Sequence, residues 1–313
     1  VAILVDDMSP LVLRAIAFVF GATWGSFFNV AIYRWPREMS VVKPGSRCPS
    51  CDTPIPGYLN IPIFGYLLLR GRTACCKTPL SPRYPLIELL SATLCVVVAE
   101  IYVIAAPPGT DLVQASLHAL CYFAFVGGLV IVTFVDLDEW IIPDEVSLPG
   151  IALGLATAGF REIASDGITT VEDCALGAGA AFLVTQLPFV WGYELLTGRR
   201  GLGEGDPKLL MMIGAFIGTE GVLFVLILAP LQGLLFAAFA LATGRGLRQP
   251  EPDSAAAEPQ DATDVAPPSG EAETRIGKLK MPFGPLLSLA AIEYLFFGQH
   301  LVAQWINLVM AEM

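Results

Sequence analysis

The chain is built from long apolar runs separated by short polar clusters, without the recurring polar face that a solvated helix shows. Helices apolar on all sides belong in a packed interior or in a bilayer. Crossing the hydrocarbon core takes about 20 helical residues. Eight such runs can be read, at about 10–33, 84–106, 112–135, 146–160, 174–195, 207–219, 221–243 and 283–310. The fourth and sixth are short, and the sixth can merge with the seventh through Gly218–Gly221. The first run continues into "NVAIYRWPRE" with no small-residue cleavage site, so it is read as a span and not as a cleaved signal. The expected fold is an all-α polytopic membrane protein of about eight transmembrane helices.

Two inserts interrupt this pattern. The first, rich in Pro, Gly, Cys and basic residues, has only short apolar runs such as "GYLLL", so it predicts a small irregular lobe that needs a staple in place of a core. The second, "RQPEPDSAAAEPQDATDVAPPSGEAETR", is acidic, Pro- and Ala-rich and without aromatics, which predicts a disordered tether. The resulting organisation is an N-terminus and first helix over 1–33, a cysteine-containing lobe over 34–83, a transmembrane core over 84–247, an acidic loop over 248–277 and a last helix over 278–313.

Composition agrees: 55% of residues are hydrophobic and 15% charged, against about 25% charged in soluble domains. The net charge of −11 argues against nucleic acid as a partner. Charge position is more informative than its sum. Of 18 Lys and Arg residues, all but Arg14 and Arg161 fall within 34–83, 199–208 and 245–280. With eight spans these segments share one side, which the positive-inside rule makes cytoplasmic.

Carboxylates at membrane depth are costly, so those retained there are candidates for function. "VTFVDLDEWIIPDEV" ends the third run and "GLGEGDPKLL" opens the sixth, on the same side. Asp136 and Asp206 can therefore meet across the bundle. Two facing aspartates that share a proton supply a base toward water and an acid toward a carbonyl, the chemistry of aspartic-type peptide hydrolysis. Taken alone, Asp206-Pro207 is also a sound helix start. Gly201, Gly203 and Gly205 permit a close backbone approach that a simple cap does not need, and Lys208 lies beside them. The helix dipole assigns the base role to Asp206, at a helix N-terminus, and the acid role to Asp136, at a C-terminus. Asp138, Glu139 and Glu204 are either solvated loop charges or attractors of a basic substrate segment. Glu88 either supports the lobe or the dyad, or lies at the headgroup boundary.

In the lobe, "CPSC" and "ACC" offer Cys48, Cys51, Cys75 and Cys76 as four thiolates for tetrahedral zinc. Adjacent Cys75 and Cys76 do not form the usual second half-site, so a three-thiolate site and a metal-free lobe are the alternatives. Cys95, Cys121 and Cys174 are expected to pack.

At this point the sequence resembles the prepilin peptidases, membrane aspartic proteases of the glycine-x-glycine-aspartate type. The motifs are spread over most of the chain: "GATWGSFFNVAIYRWP", "CPSC…IPGYLNIPIFGYLLLRG…SPRYPLIELL", "DLDEWIIPD", "GEGDPKLLMMIGAFIG" and "KMPFGPLLSLAA". The resemblance implies Asp136 and Asp206 as catalytic residues. It implies removal of a basic leader from type IV prepilins or type II secretion pseudopilins at the cytoplasmic face of a bacterial inner membrane. N-methylation of the new amino terminus with S-adenosylmethionine is implied as a second activity. The family's lobe usually has two Cys-x-x-Cys pairs, whereas Thr73 here holds the place of the third cysteine. Two other readings are a transporter using the aspartates as ion or proton ligands and an assembly protein that binds pilin-like helices without cutting them. The absence of matching halves or paired broken helices argues against the transporter.

Overall fold

A computed structural model describes residues 3–48, 50–164, 170–198, 203–243, 282–298 and 304. The acidic loop expected at 248–277, Gly201 and most of the last span beyond Gly298 lie outside these residues. Within them the protein is helical, with isolated bridges but no strand.

The long helices are α1 (Pro10–Arg34), α3 (Arg83–Ala99, continued to Ile104 by a wider π turn), α4 (Leu112–Glu139), α5 (Asp144–Ala164), α6 (Val171–Thr185, continued to Gly192 as π-helix) and α8 (Gly205–Thr243). Short helices α2 (Phe64–Leu68) and α7 (Tyr193–Thr197) lie between them, and α9 (Gly284–Glu293) follows. Five segments are long and apolar enough to cross a membrane: Pro10–Arg37, Arg83–Ile104, Leu112–Glu139, Val171–Thr197 and Gly205–Ala240. The difference from the expected eight has three sources. The sixth and seventh runs follow one another through a break at Gly218 and together make up the single apolar segment Gly205–Ala240. The fourth run, α5, carries Asp144, Glu145, Arg161 and Glu162. The last is described only as the shorter apolar segment Gly284–Gly298.

Lipid is no more apolar than leucine, so helix pairing rests on close van der Waals approach through small residues. Two pairs use this device. A Cβ on Gly21 of α1 would lie 2.8 Å from the Ala92 backbone of α3, and one on Gly25 would lie 2.7 Å from Glu88 Cα. A Cβ on Gly214 of α8 would lie 2.5 Å from the Gly177 backbone of α6. Outward-facing Leu, Ile and Phe side chains, including Ile227, Leu234 and Phe239, are exposed as a lipid-facing surface requires.

Gly218, at φ 70°, breaks α8 in its middle. The break leaves orphan carbonyls on one side and orphan amides on the other. Arg161, fully buried, donates to the carbonyls of Ala215 at 2.8 Å and Phe216 at 2.7 Å, and to Gly154 of its own helix at 2.8 Å. Asp173 of α6 accepts from the Thr219 N–H at 3.1 Å and from the Thr219 hydroxyl. Opposite charges thus cap the two halves, each against the appropriate dipole end.

The segment between α1 and α3, expected as the lobe, has little regular structure, and ion pairs fasten its two ends to the end of α4. Arg37 pairs with Glu139 at 2.7 Å, and Arg83 with Asp138 at 2.7 Å. Asn29 of α1 also donates to the Tyr84 carbonyl at 3.1 Å.

Candidate active site

Asp136 lies in the last turn of α4, 5% exposed, and Asp206 in the first turn of α8, 8% exposed. Seventy residues separate them in sequence, yet they lie within electrostatic reach of each other. Each carboxylate accepts a backbone N–H from a glycine. Asp206 Oδ2 receives the N–H of Gly203 at 3.1 Å, and Asp136 Oδ2 receives that of Gly284, the first residue of α9, at 2.8 Å. Asp206 is therefore one residue inside the helix start, its carboxylate folded back on the preceding loop.

Close packing leaves no room for a side chain at Gly205 or Gly284. A Cβ on Gly205 would lie 2.6 Å from Ile142 Cβ, so the α8 entrance packs directly against the chain between α4 and α5. A Cβ on Gly284 would lie 2.6 Å from Asp136 Oδ2. Lys208 does not reach the dyad carboxylates. Its ammonium lies 2.7 Å from both oxygens of Asp144 and ties the start of α8 to the start of α5.

The dipole asymmetry expected between the aspartates is absent. Asp136 ends α4 but meets the N-terminus of α9, so both carboxylates face N–H donors, and the division of base and acid roles loses its basis. Sequence reasoning missed Gly284. Its signal was present, a glycine before a proline at a helix start in "KMPFGP", but what that N–H points at is a tertiary fact.

Asp138 and Glu139 are held by Arg83 and Arg37, so they brace the α4 terminus and are not free attractors. Arg83 also donates to the Phe134 carbonyl at 3.3 Å and lies over the Phe134 ring. Glu88 supports the lobe: its Oε2 accepts the Ile63 N–H at 2.6 Å. Cys95 and Cys174 are buried and Cys121 is half-buried, as packing residues should be.

The four lobe cysteines come together, their sulfurs all within 4.8 Å of one another. The contacts are 3.6 Å for Cys48–Cys76, 3.3 Å for Cys51–Cys75 and 3.9 Å for Cys75–Cys76. Tetrahedral thiolates at zinc, with bonds of about 2.3 Å, would be roughly 3.8 Å apart, so the donor set fits. Two matching turns build it. Arg47 bridges to Pro54 around the first and Arg72 to Pro79 around the second. Asp52 and Lys77 hold equivalent left-handed positions at φ 54° and 59°. Thr73 occupies in the second turn the place of Cys48 in the first, and Cys75 supplies the remaining sulfur. The Thr73 hydroxyl, 3.3 Å from Cys76 Sγ, and that of Thr78, at 3.1 Å, bring the Cys76 thiol down to about 5. Its neighbour Cys75 is pushed up to about 11, chiefly by the Cys51 sulfur.

A cavity of about 240 Å³ between α1, α4, α5 and α8 is lined by apolar and aromatic side chains with Glu145 the sole charged group. Such a lining does not fit the adenosyl and amino-acid groups of S-adenosylmethionine, and no residue is assigned to a methyl donor.

The type IV leader peptidase family matches over residues 123–238 and the bacterial peptidase A24 N-terminal domain over residues 19–102. Among curated relatives is a prepilin leader peptidase/N-methyltransferase of Aeromonas hydrophila, 32% identical over 95% of this chain and 94% of the relative. Proteins of the same name from Myxococcus xanthus and Neisseria gonorrhoeae are 33% and 36% identical, over 90% and 74% of this chain and 89% and 84% of theirs. No solved structure gives a significant match. The helical architecture, the five apolar spans and similarity over nearly the whole length agree: the chain belongs to the type IV leader peptidase family.

Proposed function

We propose that the protein is a membrane aspartic endopeptidase that removes the basic leader from type IV prepilins or type II secretion pseudopilins, with Asp136 and Asp206 as the catalytic pair. The observation that carries this reading is a pair of buried aspartates at one end of the bundle, within electrostatic reach of each other and each receiving a glycine N–H. A prepilin is an apolar helix behind a basic leader. Held beside the spans, it presents its scissile bond where the two carboxylates lie.

One carboxylate takes a proton from water as the hydroxide oxygen bonds to the scissile carbonyl carbon. The other, protonated, gives its proton to the carbonyl oxygen. Collapse of the resulting diol breaks the C–N bond, and the departing nitrogen is protonated. The leader leaves with a new carboxylate and the pilin with a free amine. That amine is the acceptor for N-methylation, a second activity supported by the names of the relatives; S-adenosylmethionine is the methyl donor proposed.

The proposed setting is a bacterial inner membrane with the lobe, the loop at 199–208 and the acidic segment on the cytoplasmic side, a placement that the Lys and Arg distribution supports. The eight-span count is retained with α5, a second crossing from dividing α8 at Gly218, and the segment begun by α9 as the three additional crossings. Zinc bound by Cys48, Cys51, Cys75 and Cys76 is proposed as the structural staple of the lobe, which offers few buried apolar side chains of its own.

The test is cleavage of a co-reconstituted prepilin by wild type, Asp136→Asn and Asp206→Asn, with mass spectrometry reading leader loss and methyl addition separately. Each substitution should abolish cleavage while the protein stays folded. Retained cleavage in both would refute the dyad, and binding of an intact prepilin that wild type never cuts would favour the assembly-protein reading.

A further inference from the structure

The lobe carries a surface that neither the aspartates nor the cysteine cluster uses. Between residues 58 and 68 five large apolar side chains face outward: Tyr58 is 71% exposed, Ile61 51%, Phe64 67%, Leu67 62% and Leu68 74%. A soluble loop of eleven residues does not sustain that density in water. Much of the backbone of the same segment is hydrogen-bonded within it. Gly65 N–H donates to Ile61 O at 2.8 Å, Leu67 to Ile63 and Leu69 to Gly65 at 3.1 Å, and Gly71 to Tyr66 at 2.9 Å. Internal satisfaction of N–H and C=O groups is what a segment needs before it can leave water.

Its height relative to the spans is fixed by one hydrogen bond. Ile63 N–H reaches the Glu88 carboxylate, and Glu88 is the sixth residue of α3, about 7.5 Å along its axis. Ile63 holds a φ of 63°, a conformation costly for a β-branched residue, so the contact is maintained against strain. Leu86, Leu89 and Leu90, from the same turns of α3, are exposed, as side chains facing lipid are. The outward apolar residues of the lobe thus stand at about the height of the first turns of a membrane span. Arg70 and Arg72 follow at once, both exposed and with no carboxylate partner among the described residues.

We infer that residues 58–69 form an interfacial anchor, seating Tyr58, Ile61, Phe64, Leu67 and Leu68 at the headgroup–acyl boundary of an anionic bilayer with Arg70 and Arg72 at the lipid phosphates. An apolar face rimmed by arginine lies in the interface plane, its side chains sunk about 5–10 Å. A lipid surface is favoured over a second copy or a protein partner because the anchor lies at the height of the first turns of a membrane span and is followed by two exposed arginines without a carboxylate partner among the described residues. The lobe is then held from two directions, by the bilayer through this segment and by α4 through Arg37 and Arg83.

The experiment uses the full chain in nanodiscs of phosphatidylethanolamine and phosphatidylglycerol. A ketone-bearing unnatural residue is placed singly at positions 64, 67 and 68 and spin-labelled, which leaves the cysteines untouched. Ile227 in α8 gives the lipid reference and Val42, 77% exposed elsewhere in the lobe, the aqueous one. The expected result is collisional access to oxygen exceeding that to a water-soluble nickel chelate several-fold, as at Ile227. Chelate access matching Val42 would overturn the inference. So would low access to both reagents, which would mean that protein covers the face. Exchanging phosphatidylglycerol for phosphatidylcholine, or Arg70→Gln with Arg72→Gln, should lower the oxygen-to-chelate ratio; an unchanged ratio refutes the headgroup role of the arginines. None of these readouts depends on prepilin cleavage.

Discussion

Gly284→Ala tests whether α9 takes part in the chemistry. The added Cβ would lie 2.6 Å from Asp136 Oδ2 and 3.2 Å from its Cγ, whereas ordinary contact begins at 3.4 Å. The atom in the way is the end of a side chain, so the carboxylate turns aside and the backbone stays. Alanine in place of glycine also favours a helix by about 0.5–1 kcal/mol. The fold should therefore keep its stability while Asp136 loses its Gly284 N–H and moves by roughly an ångström, a displacement that costs about 10²-fold in rate. In free energy that is about 2.7 kcal/mol of transition-state stabilisation. The assay is kcat/KM for prepilin cleavage in liposomes beside thermal unfolding of the same sample, with Gly179→Ala, whose Cβ meets nothing within 4 Å, as control. A rate within about threefold of wild type, less than about 0.7 kcal/mol, would refute the argument. A parallel loss of stability would show that the glycine serves packing alone.

Gly214→Ala should do the opposite: its Cβ would meet the Gly177 backbone at 2.5 Å, which cannot turn aside, so unfolding in detergent should shift down by about 1–3 kcal/mol. Arg161→Met leaves the Ala215 and Phe216 carbonyls at the break in α8 without their donor, and at about 1–3 kcal/mol for each buried unsatisfied group the thermal transition should fall sharply; Arg161→Lys, lacking the planar fork, should not restore it. The half-exposed Arg83–Asp138 pair is worth at most about 1 kcal/mol of stability, so Arg83→Asp should lower cleavage with little change in melting, and adding Asp138→Arg should recover it. Cys75→Ser should remove zinc measured by elemental analysis, and Thr73→Cys in that background should return it, because Thr73 stands in the second turn where Cys48 stands in the first.

The sequence by itself determined the helical class and the first, second, third and fifth spans, and it singled out the two aspartates as candidates. These are carried by local chemistry: runs of apolar residues cannot be solvated, and acids at their ends are too costly to be incidental. It also reached Glu88, left open between lobe, dyad and headgroup. Tertiary structure decided what each polar group meets. Gly284 N–H lies 148 residues from Asp136, and no pattern within a helix reports such a pairing. The acids after Asp136 read as free charges until Arg37 and Arg83, at the far ends of the lobe, came back to them. Cys75 and Cys76 read as an imperfect half-site because adjacency was judged along the chain, whereas four sulfurs within 4.8 Å depend on how two turns face each other. The break at Gly218 was legible as glycine, but not its repair by a buried arginine and an aspartate from two other helices. Apolar burial is a property of segments and can be read residue by residue; hydrogen-bond and charge partners are properties of the packed bundle, and only the packing names them.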